Sequence, residues 1–184
     1  SWWDYTYAAM GDRVKKEMIP YFQAKFSGFI TNELLRNIIG QTKSSFNVED
    51  VMNTGKILLI NLSKGILGDL NSKLLGMIFV TKIQGAAMAR QKIDKDKRRD
   101  FYFYIDEFQN FVTDSIESIL SEARKYRLSL NVAHQYLSQL EQSDSLTKSS
   151  VNLKNAIFGN VGSMMSYKVG AEDAEKLEKE FAPN

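Results

Sequence analysis

The sequence predicts an α/β fold: a mostly parallel sheet flanked by helices. Two observations carry this expectation. Short apolar runs recur at Lys56–Leu62, Phe101–Ile105, Leu128–Ala133 and Ser163–Val169, and stretches with helical periodicity separate them. Nearly continuous apolar runs bounded by turn residues are how strands buried on both faces read. Strands that alternate with helices imply crossover connections and parallel pairing.

The elements follow in order. Residues 1–40 read as helical, with Val14, Met18, Tyr21 and Phe22 near one face and Leu34, Leu35, Ile38 and Ile39 near another. Pro20 is expected to kink or divide the first of these helices. The polar stretch Gln41–Asn47 reads as a loop, so residues 1–45 form a helical lead-in and residues 46–184 the α/β portion. The first strand, Lys56–Leu62, is preceded by Gly55 and followed by Ser63-Lys-Gly65. Asn71 or Ser72 can cap the next helix, which carries Leu74, Leu75, Ile78, Phe79 and Ile83 and runs to about Arg90. A basic loop, Arg90–Arg99, leads to the second strand. A helix starting near Asp114 has Glu117 as its reciprocal capping partner and Ile116, Ile119, Leu120 and Ala123 as its buried stripe. The third strand ends at His134-Gln135. Ser143–Asn152 reads as a polar, mobile loop, and a closing helix with Ala174, Leu177 and Phe181 follows the fourth strand.

Composition narrows the chemistry. The chain has 184 residues, 43% hydrophobic and 25% charged, which suits one soluble domain or a large piece of one. It has no cysteine, so disulfides and thiolate metal sites are excluded, and its single histidine, His134, excludes a multi-histidine metal site. The longest apolar run, Leu74–Val80, is far too short to cross a bilayer, and no secretory signal pattern is present. A net charge of +2 is too weak to argue for nucleic acid by itself. Any DNA contacts must then be local or come from a ring of subunits. A start at Ser1 without an initiator methionine is expected of a piece of a longer protein, and equally of a processed or renumbered chain.

Ligands of parallel sheets sit at the carboxyl ends of the strands, and Asp106, Glu107 and Gln135 all fall there. Five bulky apolar residues followed by Asp106-Glu107 have the form of a Walker B element. The strand would hold Asp106 where it binds Mg²⁺ through water, and Glu107 would orient or deprotonate an attacking water. An equally simple reading is that acids end a strand and suit the first turn of the helix after it. Arg124 is either a cation favoured at a helix C-terminus, paired with Glu117, or an arginine finger reaching a neighbouring subunit's γ-phosphate; the residues alone favour the first. Gln135 is an ordinary strand-end polar residue or a sensor of the γ-phosphate and attacking water. His134 reads as structural. The aspartates among the lysines and arginines of the 90–99 loop suggest a solvated surface, not a DNA track. The aromatics of Phe101–Tyr104 read as core. No G-x-x-x-x-G-K-[ST] occurs: Thr54-Gly55-Lys56 is followed by Ile57 and lacks the earlier glycine.

Taken in order, six stretches resemble one family. They are Gly55-Lys-Ile-Leu-Leu-Ile-Asn-Leu-Ser-Lys-Gly65, Asp106-Glu-Phe-Gln-Asn-Phe111, Leu120-Ser-Glu-Ala-Arg-Lys-Tyr-Arg-Leu128, Ala133-His-Gln-Tyr-Leu-Ser-Gln-Leu140, Phe158-Gly-Asn160 and Val169-Gly-Ala-Glu-Asp-Ala174. Over roughly Asn32–Pro183 the chain is similar to the ATPase domain of conjugative DNA-transfer coupling proteins of the TraG/TraD type, within the HerA–FtsK group. The resemblance implies the C-terminal portion of a RecA-like P-loop ATPase core without its Walker A loop. It implies a hexameric, ATP- and Mg²⁺-dependent translocase that moves single-stranded or relaxase-bound DNA into a type IV secretion channel. Relaxosome and channel proteins would be its partners, at the cytoplasmic face of the membrane. By position, Asp106 and Glu107 match the Walker B acids, with Asp106 on Mg²⁺ through water. Arg124 matches the trans-acting arginine and Gln135 the sensor glutamine. Lys168 departs from the arginine that relatives often carry, and lysine lacks arginine's bidentate fork. The chain alone is expected to be inactive. The alternatives are an energiser of the secretion channel without DNA cargo, and a non-catalytic interaction module that keeps the ATPase fold.

Overall fold

The computed structural model describes residues 3–112, 114–140 and 153–181. The chain divides into two compact units, Ser1–Ser45 and Phe46–Asn184.

The first unit is helical. After a π-turn at Trp3–Tyr7 come α1, Asp12–Thr31, and α2, Glu33–Ile39. Pro20 lies inside α1 and does not divide it. A proline removes its own N–H from the ladder, and a helix of this length keeps its remaining bonds. Asn32 separates the two helices because its side chain accepts from Leu35 N–H at 3.1 Å, which caps α2. Leu35 is buried, whereas Val14, Met18 and Tyr21 of the expected apolar face are exposed.

The second unit opens with a helix the sequence pattern did not signal: α3, Val48–Thr54. Asn47 caps it by accepting from Glu49 N–H (2.8 Å) and Asp50 N–H (3.3 Å). Gly55 ends it at φ 74°, the left-handed conformation glycine adopts freely. The expected strand Lys56–Leu62 does not form, and Ile57 and Leu59 are 89% exposed. A strand exists only through its hydrogen-bonded ladder, and the sheet pairs only two other segments among the described residues. A short helix α4, Lys64–Leu67, leads into α5, Asp69–Ala89. The expected cap Ser72 instead sits inside α5, fully buried, and donates to Leu62 O at 2.6 Å.

Among the described residues two strands form the sheet, β1 (Phe101–Ile105) and β2 (Leu128–Val132), parallel, with Phe101 opposite Leu128 and Ile105 opposite Val132. Between them run a 3₁₀ turn, Phe108–Phe111, then α6, Asp114–Glu122, and a second 3₁₀ turn, Ala123–Tyr126. The side chains of Asp114 and Glu117, expected to cap α6 reciprocally, lie outside what is described. β1 is covered on one face only. Ile105 is buried and Phe101 and Phe103 are partly buried, while Tyr102 and Tyr104 face solvent. The expectation of a core strand buried on both faces is corrected accordingly: period-2 geometry splits Phe101–Ile105 between two faces, and the phenol oxygens tolerate water.

After β2 come a 3₁₀ turn at Leu137–Leu140, α7 (Leu153–Asn160) and α8 (Ala171–Phe181). The polar loop expected at 143–152 lies outside the described residues. The expected fourth strand, Ser163–Val169, is also not a strand, and Met165 and Tyr167 are exposed. The fold is thus helix-rich with a narrow parallel sheet, not the four-stranded sheet the sequence suggested. Its core joins Met52, Val80, Ile83, Phe108 and Ile116 with Leu128, Leu137, Ile157 and Leu177.

Candidate functional site

The ladder between β1 and β2 continues past both strand ends. Ala133 N–H donates to Ile105 O at 2.9 Å, and Phe108 N–H donates back to Ala133 O at 3.0 Å. These two bonds straddle Asp106-Glu107 and bring them beside His134-Gln135. Phe108, fully buried, anchors the turn in the core. Between strand and anchor the chain must reverse within two residues, and Glu107 takes the left-handed conformation at φ 50° and ψ 42°. A non-glycine residue held there stores of order 1–3 kcal/mol of strain, and such residues cluster at functional sites. Asp106 Oδ1 accepts from Glu107 N–H at 2.9 Å, and Glu107 O accepts from Asn110 N–H and Nδ2 at 2.9 and 3.1 Å. The turn is therefore pinned on both sides of Glu107.

The Glu107 carboxylate bridges two amides. Gln135 Nε2 donates to Oε1 at 2.5 Å, and Gln109 Nε2 donates to Oε2 at 2.7 Å. Two of the four residues expected to act together, Glu107 and Gln135, are thus in direct contact. Asp106 lies beside them, exposed, at the same sheet edge. Gln109 and Asn110 were not singled out from sequence; their spacing from Glu107 within a tight turn is the signal that could have found them. Lys64 Nζ donates to Asn110 Oδ1 at 3.3 Å and pairs with Asp69 at 3.1 Å, tying the start of α5 to the same turn. Lys64 and Lys73 hold the Asp69 carboxyl below its ordinary value through their hydrogen bonds.

Arg124 is not brought to this edge. It lies in the 3₁₀ turn that feeds β2, at the amino ends of the strands, and is exposed. A five-residue strand separates it from the carboxyl ends, a distance of about 16 Å at the usual rise per residue. The turn that carries it is held rigidly. Arg90, 1% exposed, donates to Asn53 Oδ1 (3.0 Å), Met52 O (2.9 Å) and Tyr126 O (2.9 Å). Arg98 donates to Lys125 O at 2.6 Å and lies over the Tyr126 ring, and Arg127, at φ 54°, pairs with Asp100 at 3.1 Å. Burial pushes the Arg90 guanidinium below its ordinary value; the Arg98 charge acts the same way and Asp100 opposes both. Arg90 and Arg98 thus serve the architecture instead of a wholly solvated basic loop. The spacing Ile83, Ala87, Arg90 places Arg90 on the buried stripe of α5, which is the sequence signal for it.

Among the described residues no three His, Cys, Asp or Glu side chains gather to hold a metal ion. Asp106 and Glu107 suit a cation carried largely by water and phosphate oxygens, as Mg²⁺ commonly is, and not a protein cage. No helix among the described residues is long and apolar enough to cross a membrane. Residues 100–178 match a family model described as the TraM recognition site of TraD and TraG. No curated protein and no solved structure matches the chain.

Proposed function

We propose that this chain, whose residues 100–178 match the TraD and TraG family model, is the C-terminal part of a RecA-like, ATP-driven DNA-translocating motor of the conjugative coupling-protein kind. The observation that supports this best is the hydrogen bond between Glu107 and Gln135 across the carboxyl ends of two parallel strands. A carboxylate oriented by two amides on a strained turn is suited to position an attacking water and accept its proton. Gln135 is placed to respond when the carboxylate changes partners. ATP and Mg²⁺, when bound, supply the phosphoryl group and the charge that neutralises its oxygens. Asp106 would hold the ion's water shell. These residues carry no phosphate-cradle motif, so on this reading the cradle is supplied from outside them.

Arg124, on a clamped turn at the far end of the sheet, suits action on a neighbouring subunit's nucleotide, so the working assembly is a closed homo-hexameric ring. DNA bound to relaxase is the cargo, relaxosome and secretion-channel proteins are the partners, and the cytoplasmic face of the membrane is the place of work. ATP hydrolysis by the longer protein, with and without single-stranded DNA, tests this reading. Stimulation by DNA is expected. Turnover that no DNA form changes would favour an energiser of the secretion channel without DNA cargo. The family description itself favours a second reading, in which the segment is a non-catalytic module that recruits the relaxosome protein TraM. Absence of turnover in the longer protein, with TraM binding retained, would support that reading instead.

A further inference from the structure

Gln135 reaches Glu107 from a loop with little regular structure, so its position depends on what holds that loop. Three consecutive backbone N–H groups, those of Gln135, Tyr136 and Leu137, point at side-chain oxygens. Gln139 Oε1 accepts from Gln135 N–H at 3.2 Å and from Tyr136 N–H at 3.1 Å. Asp173 Oδ2 accepts from Leu137 N–H at 3.2 Å. Gln139 is local, within the 3₁₀ turn that follows. Asp173 comes from 36 residues away, in the first turn of α8. Its burial is unusual for a carboxylate: 8% exposed, beside the buried side chains Leu137 and Leu177 of the core. A carboxyl group in such a place is retained only where hydrogen bonds repay its desolvation.

We infer that Asp173 is a positioning residue for Gln135, through which α8 sets the geometry of the Glu107–Gln135 pair. The inference rests on the catalytic reading of that pair given above. Asp173 contacts the Leu137 amide and not the Glu107 carboxylate, whose partners are Gln109 and Gln135. It fixes the Leu137 amide two residues beyond Gln135, while buried Leu137 and Leu140 tie the same turn to the core. Without Asp173 the first amide of the Leu137–Leu140 turn loses its acceptor, and the loop gains freedom where Gln135 must hold a contact of hydrogen-bond length.

The test is a set of four variants in the longer protein: Asp173→Ala, Asp173→Asn, Gln135→Ala and the double variant Asp173→Ala with Gln135→Ala. Asp173→Ala is expected to lower kcat for ATP about 10-fold with KM unchanged, since misplacing a catalytic group by a fraction of an ångström carries penalties of that size. Asp173→Asn, which keeps an oxygen able to accept from Leu137 N–H, is expected to restore most of the rate. The double variant should be no slower than Gln135→Ala, because the effect passes through Gln135. An equal further loss in the double variant would show a merely structural role and overturn the inference. So would an unchanged kcat in Asp173→Ala while Gln135→Ala is slow. If Gln135→Ala itself leaves turnover intact, the catalytic reading of Gln135 fails, and the inference fails with it. Hydrogen exchange in the 184-residue chain gives a readout independent of turnover. The amides of Gln135 and Leu137 should exchange faster in Asp173→Ala than in Asp173→Asn, and equal protection in both would contradict the positioning role.

Discussion

At the scale of single residues, Glu107 and Arg90 show opposite uses of an ionisable side chain. Glu107 sits on a strained backbone with its carboxylate held by Gln109 and Gln135, an arrangement that fixes the direction of the carboxylate. Arg90 is buried among Met52, Asn53 and Tyr126, where it joins α3, the end of α5 and the turn before β2. Its role is to satisfy carbonyls that would otherwise be stranded. Arg90→Met keeps the bulk and removes the donors, leaving buried acceptors unpaired at about 1–3 kcal/mol each. Urea unfolding should show a loss of about 3 kcal/mol, and a loss below about 0.5 kcal/mol would mean that water replaces the guanidinium. Residue chemistry was only partly legible in the sequence. Asp106-Glu107 announced themselves by standing directly after an apolar run. The burial of Arg90 shows only in its spacing from Ile83 and Ala87, and that of Asp173 is hidden, because composition marks charged residues as surface and only packing reveals which are satisfied inside.

At the scale of elements, α5 packs against the turn after β1, behind the candidate site. Gly76 lies on the buried side of α5, and a methyl group there would overlap the ring of Phe111, the last residue of the Phe108–Phe111 turn. Alanine normally gains about 1 kcal/mol over glycine within a helix. Here the displaced aromatic ring costs about 1–3 kcal/mol of overpacking, so the balance turns against the substitution. Gly76→Ala should lower the midpoint of urea unfolding, and a raised midpoint would show that Phe111 moves aside freely. The longer helices were legible because their apolar residues recur every three to four positions, whereas the short α4 and α7 were not expected; α5 begins within a few residues of the expected cap. α3 escaped notice since seven residues are too few for a periodic pattern, although its Asn47 cap and Gly55 end are both sequence features. The runs at 56–62 and 163–169 look like strands in sequence but are not, because apolar continuity reports a tendency to burial and not the presence of a ladder partner.

At the scale of the whole molecule, the chain offers two compact units, and the candidate site lies wholly in the second. That unit buries one face of a narrow parallel sheet and leaves Ile57, Leu59, Tyr102, Tyr104, Met165 and Tyr167 exposed. The α/β character was legible from the alternation of apolar runs and helical periods. The width of the sheet was not, because strand pairing is a long-range property that periodicity does not encode. The carboxyl edge of the two strands that do pair still gathers the residues that sequence marked for chemistry, with Arg124 set apart at the opposite end. The most direct test of the central claim is the rate of ATP hydrolysis by the longer protein carrying Glu107→Gln, measured beside nucleotide binding. The amide keeps the size of the side chain and removes its capacity to accept a proton, so turnover should fall at least about 100-fold while nucleotide binding persists. Turnover that survives the substitution would contradict the account and leave the Glu107–Gln135 contact a structural one.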